Sequence, residues 1–304
     1  IPELPDYLTQ LGGKDYKGLI ISLFTVSALL SRPFSGKLSD TVGRVPVMGF
    51  GFVVCFVVSF LYPLLGSVFG FLFLRFLHGF STGFTPTAIN AYIADIIPAD
   101  RRGEALGISG FFFSLGMALG PYLGGEIMLR YESYNVLFGL SSAVALASVL
   151  FLLWLKEPLE HKQKFSFKHL KISSKDIYDP KVLPAALVLL IAVTNFGTAL
   201  TIMPDFTKHL GIANKGIYFM YLTAGSIFVR LVAGKISDKV GRIPVLVVGV
   251  ILLLFGFIAL GFVQTPVQFY WVATVIGIAI GINSPTIFAW GVDLGNPKNK
   301  GRTM

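Results

Sequence analysis

The sequence predicts an all-α membrane protein built as two pseudo-symmetric helical bundles. Three features carry that expectation: recurrent apolar runs of membrane length, a polar nine-residue stretch that occurs twice, and loops sorted by charge. The 304 residues are 54% hydrophobic and 13% charged, with a mean hydropathy of +0.73. A soluble domain carries about 25% charged residues to cover its surface. Apolar runs of about 18 residues or more instead mark bilayer-spanning helices. The stretch Gly36-Lys37-Leu38-Ser39-Asp40-Thr41-Val42-Gly43-Arg44 returns as Gly234-Lys235-Ile236-Ser237-Asp238-Lys239-Val240-Gly241-Arg242, 198 positions later. Each copy joins the end of one apolar run to the start of the next, so the repeated unit is a helical bundle.

In chain order, residues 1–8 end a first helix and 9–17 form a short polar loop. Apolar runs follow at about 18–38, 45–65, 69–94, 105–128 and 134–155. They resume at about 182–205, 216–237, 244–264 and 267–291. This divides the chain into an N-terminal bundle (1–155), a linker (156–181) and a C-terminal bundle (182–304). In the Lys-rich linker, Phe165, Phe167, Leu170 and Ile172 allow a helix lying on the inner leaflet, and a solvated basic tether fits equally well.

Charge gives the orientation. Connections 36–46, 95–104, 156–181, 234–243 and 292–304 hold seventeen Lys and Arg, against five in the connections opposite. Positive loops stay cytoplasmic, so both polar hairpins face the cytoplasm and residue 1 lies near the outer surface. The net charge of +9 is therefore a topology signal, with no basic face for nucleic acid. Cys55, the one cysteine, sits in an apolar run as packing.

The repeat reaches beyond the hairpins. Lys17-Gly18 matches Lys215-Gly216, Arg32 matches Arg230, and Gly79 and Gly83 match Gly277 and Gly281. Asp95 matches Asp293 and Gly103 matches Gly301. Two related halves are the plan of a secondary transporter. The register also implies that the first half begins near the end of its first helix, and that the second stops two helices short.

These features resemble the major facilitator superfamily over essentially the whole chain. Gly36, Leu38, Asp40, Gly43 and Arg44 match its G-x-L-x-D-x-x-G-R loop signature, and the second copy has Ile236 in place of Leu. Leu72-x-x-Arg75-x-x-His78-Gly79-x-x-x-Gly83 resembles the fourth-helix signature of proton-linked members, with His78 where Gln is commoner. Gly116-x-x-x-Gly120-Pro121-x-x-Gly124-Gly125 resembles the fifth-helix signature of antiporters, and Pro2-x-Leu-Pro5 the first-helix end of drug-efflux members. The resemblance implies two six-helix bundles, of which this chain spans about nine full helices and the tail of a first.

Residue chemistry gives the candidate sites. Gly36 is expected to let two helices meet backbone to backbone, as is its counterpart Gly234. Gly43 and Gly241 are expected to take φ > 0 in the turn. Asp40 suits pairing with Arg44 or facing a helix N-terminus, and Asp95 is a second partner for Arg44. The resemblance implies a charge network that locks the cytoplasmic side, repeated as Asp238, Arg242 and Asp293. It further implies that Asp238 docks on the helix starting near Gly103, leaving the first hairpin the looser of the two.

Arg75 lies about six residues, roughly 9 Å, inside its helix, where an ionised group is costly. It is expected to face a polar cavity, with His78, Thr82, Pro86 and Asn90 extending a polar stripe as a substrate or proton pathway. The alternative is snorkelling to the headgroups. Gly116, Gly120 and Gly124, with Pro121, are expected to form a groove for a neighbouring helix. Asn195 and Thr198 on the seventh helix and Asn283 on the tenth are pocket candidates, since the resemblance places those helices on the cavity; polar glue between helices is the plainer reading.

Several classes are excluded. No G-x-x-x-x-G-K-[ST] occurs, so no ATP-driven pump is encoded in this segment, and the lack of His-Glu-x-x-His and of a Cys cluster argues against a metal enzyme. Gly79-Phe-Ser81-Thr-Gly83 satisfies G-x-S-x-G, but mid-helix it lacks the strand-turn-helix that a nucleophile elbow needs. The expectation is a monomeric secondary transporter in the inner membrane, with a small-molecule substrate, a proton as coupling ion, and no metal or other cofactor. Proton-coupled efflux is the first reading. A sugar or metabolite symporter or facilitator, and a non-transporting receptor or scaffold, are the alternatives.

Overall fold

The computed structural model describes residues 2–97, 102–159, 162–166, 170–171 and 180–294. Its helices are α1 (Leu4–Gln10), α2 (Leu19–Thr41), α3 (Arg44–Leu61), α4 (Val68–Ile96), α5 (Arg102–Tyr131) and α6 (Tyr134–Phe151) in the first half. In the second half they are α7 (Leu183–His209), α8 (Ile217–Val240), α9 (Arg242–Leu260) and α10 (Pro266–Leu294). Among the described residues six stretches are long and apolar enough to cross a membrane by length and hydropathy, falling on α2, α3, α5, α6, α9 and α10. The others, α4, α7 and α8, have 29, 27 and 24 residues, more than the roughly 20 a bilayer requires. The nine expected runs are therefore nine helices, and the protein is an all-helical, multi-pass membrane protein.

The hairpins are tighter than their composition suggests. Helix α2 runs on through Gly36 to Thr41, so the first turn is only Val42 and Gly43. Val42 N–H donates to Leu38 O at 2.8 Å, and Gly43 takes φ +134° to start α3. Gly241 repeats this at φ +101° between α8 and α9. Both turns meet the expectation of a positive φ, which favours a residue without Cβ.

Chain contacts divide the protein into two units: Leu4–Gly110 with Arg130–Ile177, and Ile1–Glu3 with Phe111–Leu129 and Tyr178–Met304. This differs from the division at the linker, because the middle of α5 bonds to residues of the second half. In the first unit α4 packs on α2 and α3, and α3 on α6. In the second, α10 packs on α8, α9 and α7.

The seams are built alike. A methyl group at Gly79 would collide with Phe24 O and Ser27 Oγ of α2, and one at Gly83 with Ala28 O and Ser31 Oγ. At the same offset, Gly277 lies on Leu222 O and Gly281 on Ser226 O. Small residues thus bring α4 onto α2, and α10 onto α8, at backbone distance. One detail is not repeated. Ser27 corresponds to Gly225, which lies against Thr274 O of α10.

Gly36 takes no part in such a seam. A methyl there would meet no atom within 4 Å, and the same holds at Gly116 and Gly120. The expected close approach at these three is therefore corrected: spacing identifies a small-residue face without saying what lies opposite. Gly234 lies on α8 with its surroundings outside the description, and Gly124 on α5 beside the true contact. That contact is Gly125, where a Cβ would strike the Asn214 side chain, together with Pro121, whose carbonyl abuts Gly216.

Candidate functional site

Each hairpin ends in a charge triad. Arg44 Nε donates to Asp95 Oδ2 at 2.9 Å, its Nη1 pairs with Asp40, and the same Nη1 reaches Ser39 Oγ at 3.3 Å. In the second half Arg242 Nε donates to Asp293 Oδ2 at 2.9 Å, Nη1 pairs with Asp238, and Ser237 Oγ accepts at 2.7 Å. One guanidinium thus joins the end of one helix, the start of the next and the end of the next but one. All six gating candidates fall into these two sets.

Ser39 and Ser237 were not singled out as partners, although the duplication marks them. Glu157 gave no such signal. Its Oε1 accepts from Arg44 N–H at 3.0 Å and its Oε2 from Val45 N–H at 2.8 Å. A carboxylate thereby caps the N-terminus of α3, satisfying open donors and opposing the helix dipole. The linker also meets this hairpin through Gln163 N–H to Thr41 O at 2.8 Å, and through Lys37 Nζ to Lys171 O.

The first hairpin is therefore the more enclosed. The Arg44 side chain is 11% exposed and that of Asp95 35%, against 20% for Arg242 and 52% for Asp293. The expectation that the first would be looser is reversed, because the linker covers it. Double-mutant cycles should follow this order: about 1 kcal/mol of coupling for Arg44–Asp95, and a few tenths for Arg242–Asp293, as exposed pairs are weak. Thermal unfolding of the four variants of each pair measures it, and equal couplings would contradict the difference in enclosure.

Arg75 is 3% exposed. Its Nε donates to Ile20 O at 3.0 Å, its Nη1 to Tyr62 Oη at 3.3 Å, and its guanidinium lies 4.5 Å from the Phe24 ring centre. Nη2 is buried without a hydrogen-bond partner among the described residues. Tyr62 Oη also contacts His78 Nδ1 at 3.1 Å, and His78 Nε2 lies 3.5 Å from Cys55 Sγ. Arg75, Tyr62, His78 and Cys55 thus form a polar cluster among α2, α3 and α4. Burial removes the snorkelling alternative and corrects the open stripe: His78 turns to Tyr62, while Asn90 at the other end is exposed. Tyr62, the residue holding the cluster together, was missed because it caps α3, outside any motif.

Asn283 is 2% exposed, packs against Gly249 on α9, and leaves Nδ2 and Oδ1 without hydrogen-bond partners. It lies in a helix seam and not on an open polar face. Its counterpart Thr85 packs likewise on Gly51, with Oγ1 unpartnered. The side chains of Asn195 and Thr198 lie outside the described residues. Arg230 donates from Nη1 to Ser114 Oγ of α5 at 3.0 Å.

A second polar group joins α5 to the α7–α8 turn. Asn214 Nδ2 donates to Glu126 Oε1 at 2.8 Å and Tyr122 O at 3.1 Å, and Lys215 Nζ donates to Glu3 Oε2 at 2.7 Å. Glu126 on α5 thus has a polar partner in Asn214. Among the described residues no three His, Cys, Asp or Glu side chains gather as metal ligands.

A family model described as Major Facilitator Superfamily matches residues 1–304. Multidrug resistance protein MdtG of Citrobacter koseri is 28% identical over 300 residues, covering 94% of this chain and 74% of the relative. The Salmonella arizonae protein of the same name gives the same figures. Among solved structures, the human organic anion transporter MFSD10 (TETRAN) matches with a TM-score of 0.74 at 19% identity, covering 99% of this chain and 83% of that one. A D-xylose-proton symporter matches at 0.73 and 16%, covering 94% and 74%. At these identities the structural likeness is one of fold.

Proposed function

The chain belongs to the Major Facilitator Superfamily, and from that membership we propose that it exports small lipophilic molecules in exchange for protons by alternating access. It is a transporter and not an enzyme. The observation that carries a gated cycle is the pair of triads, made by the same atoms at the same offset with the same 2.9 Å bond. Charges at hairpins between helices suit a two-state element, since each arrangement is either fully paired or open. The drug-efflux reading is supported by the relatives named as multidrug resistance proteins, 28% identical across 94% of this chain. Loop charge supports an inner-membrane protein with both hairpins in the cytoplasm and residue 1 near the outer face.

In this reading Asp40, Arg44 and Asp95, with Asp238, Arg242 and Asp293, close the cytoplasmic side. Arg75 and His78 belong to the proton or substrate route. Asn90, Asn195, Thr198 and Asn283 are secondary candidates. The coupling ion is a proton, and the working unit is a monomer.

Proteoliposomes with an acid lumen and an alkaline bath test the coupling. A fluorescent lipophilic cation should accumulate in the lumen and dissipate the pH gradient as it enters. Accumulation on the alkaline side would mean symport, and flux indifferent to the gradient would mean facilitated diffusion. Either result removes antiport.

A further inference from the structure

We propose that Tyr62 is the positioning residue of the polar cluster among α2, α3 and α4. Its hydroxyl fixes which ring nitrogen of His78 carries the proton, and makes that choice depend on where Arg75 sits. The inference rests on the reading above that Arg75 and His78 lie on the proton or substrate route.

The direction of each hydrogen bond follows from the donors present. A guanidinium only donates, so Tyr62 Oη accepts from Arg75 Nη1 at 3.3 Å. The phenol's own hydrogen is then left for His78 Nδ1, 3.1 Å away, which must accept it. An imidazole whose Nδ1 accepts carries its proton on Nε2. That nitrogen lies 3.5 Å from Cys55 Sγ, a weak acceptor. The chain of bonds therefore runs one way, from Arg75 through Tyr62 and His78 to Cys55.

The phenol is held for this task. Tyr62 is buried, Tyr7 Oη donates to its carbonyl at 3.1 Å, and its ring stacks on Phe138 with 4.9 Å between centres. Arg75 is anchored in turn by its bond to Ile20 O, and the Phe24 ring of α2 meets His78 edge-on at 5.7 Å. With both side chains locked by packing, only the hydroxyl hydrogen can turn. It turns to His78 because Arg75 occupies the phenol oxygen. Once Arg75 swings away to meet another group, that constraint is lifted and the imidazole is free to change tautomer.

The duplication separates this arrangement from the needs of the fold. At the 198-residue offset Cys55, Tyr62, Arg75 and His78 correspond to Leu253, Leu260, Ala273 and Ile276. All four are buried on α9 and α10, and Phe24 corresponds to the buried Leu222 of α8. The second half closes this seat with hydrocarbon alone, so packing does not call for the polar groups of the first. Tyr62 is the member of the set that touches both Arg75 and His78.

The test uses the full chain in proteoliposomes, isotope-labelled at the histidine ring nitrogens and read by nitrogen NMR. The signals of His78 are those lost in His78→Gln. In the parent they should show one tautomer, protonated on Nε2. Tyr62→Phe keeps the ring and removes only the oxygen, so the two nitrogens should move towards each other as the tautomers mix. The same variant should lower the maximal transport rate about tenfold, the scale of one hydrogen bond, with the half-saturating concentration unchanged. Arg75→Met should produce the same mixing with the phenol still present. A parent ring protonated on Nδ1 would overturn the proposal without any variant. So would a Tyr62→Phe protein that keeps the single tautomer or transports at the parent rate. Undiminished transport in His78→Gln would overturn the route on which the proposal rests, and the spectra of Tyr62→Phe tell that failure from its own.

Discussion

Arg75→Met is expected to leave the protein folded, with a melting temperature unchanged or raised, while transport falls about tenfold or more. Arg75 is 3% exposed and the hydrogen-bond acceptors of its guanidinium are neutral: a backbone carbonyl and a phenol. A charged side chain at the middle of a membrane helix costs about 2.5–3.5 kcal/mol on insertion scales. Two neutral hydrogen bonds and one ring contact offset only part of that, and Nη2 remains unpartnered. Replacing an incompletely compensated buried charge by an apolar side chain of similar length is neutral or stabilising in many proteins. A stabilising role therefore does not account for arginine here; the role proposed above, a charge on the proton or substrate route, would. Melting in detergent and transport in proteoliposomes separate the two. A destabilised Met variant would make Arg75 structural, and undiminished transport would remove it from the pathway.

Gly79→Ala and Gly277→Ala should be strongly destabilising single-methyl changes. Phe24 O and Leu222 O are backbone atoms in the middle of helices, so the added carbon can be relieved only by moving α4 off α2, or α10 off α8. Overpacking of that kind costs about 1–3 kcal/mol. At about 2–4 °C per kcal/mol, the loss is readily visible in a melt. Gly36→Ala, Gly116→Ala and Gly120→Ala are the controls. Nothing stands within 4 Å of the new methyl at any of them, and alanine gains about 0.5–1 kcal/mol over glycine in a helix. The two groups should fall on opposite sides of the parent protein. If Gly79→Ala melts with the controls, the seam is looser than described.

These glycines show what could be read from residues alone. Helix positions, turns and the offset of the halves follow from hydropathy, from Gly43 and Gly241, and from repetition, because each is written locally. The triads were legible too, since a hairpin fixes Asp40 near Arg44 and the repeat tests every pairing twice. Contacts between elements were not. A glycine stripe looks the same whether its neighbour is a carbonyl, as at Gly79, or open space, as at Gly116. Arg75 was visibly important, but its neighbours Ile20 and Tyr62 come from separate helices at no fixed spacing. Glu157 was the least visible: its partners are backbone amides more than a hundred residues away.

Gly225 and Ser27 occupy the same place in the two halves, yet they are not interchangeable. Glycine at 225 admits Thr274 O of α10, while serine at 27 fills the notch made by Gly79. A hydroxymethyl group transplanted to position 225 would strike that carbonyl, and a glycine at position 27 would leave a hole. A hybrid with α2 grafted in place of α8 would thus begin with a steric fault at its central crossing. The ancestral symmetry survives as a blueprint, but each half has since been machined to its own tolerances, and neither can serve as a template for rebuilding the other.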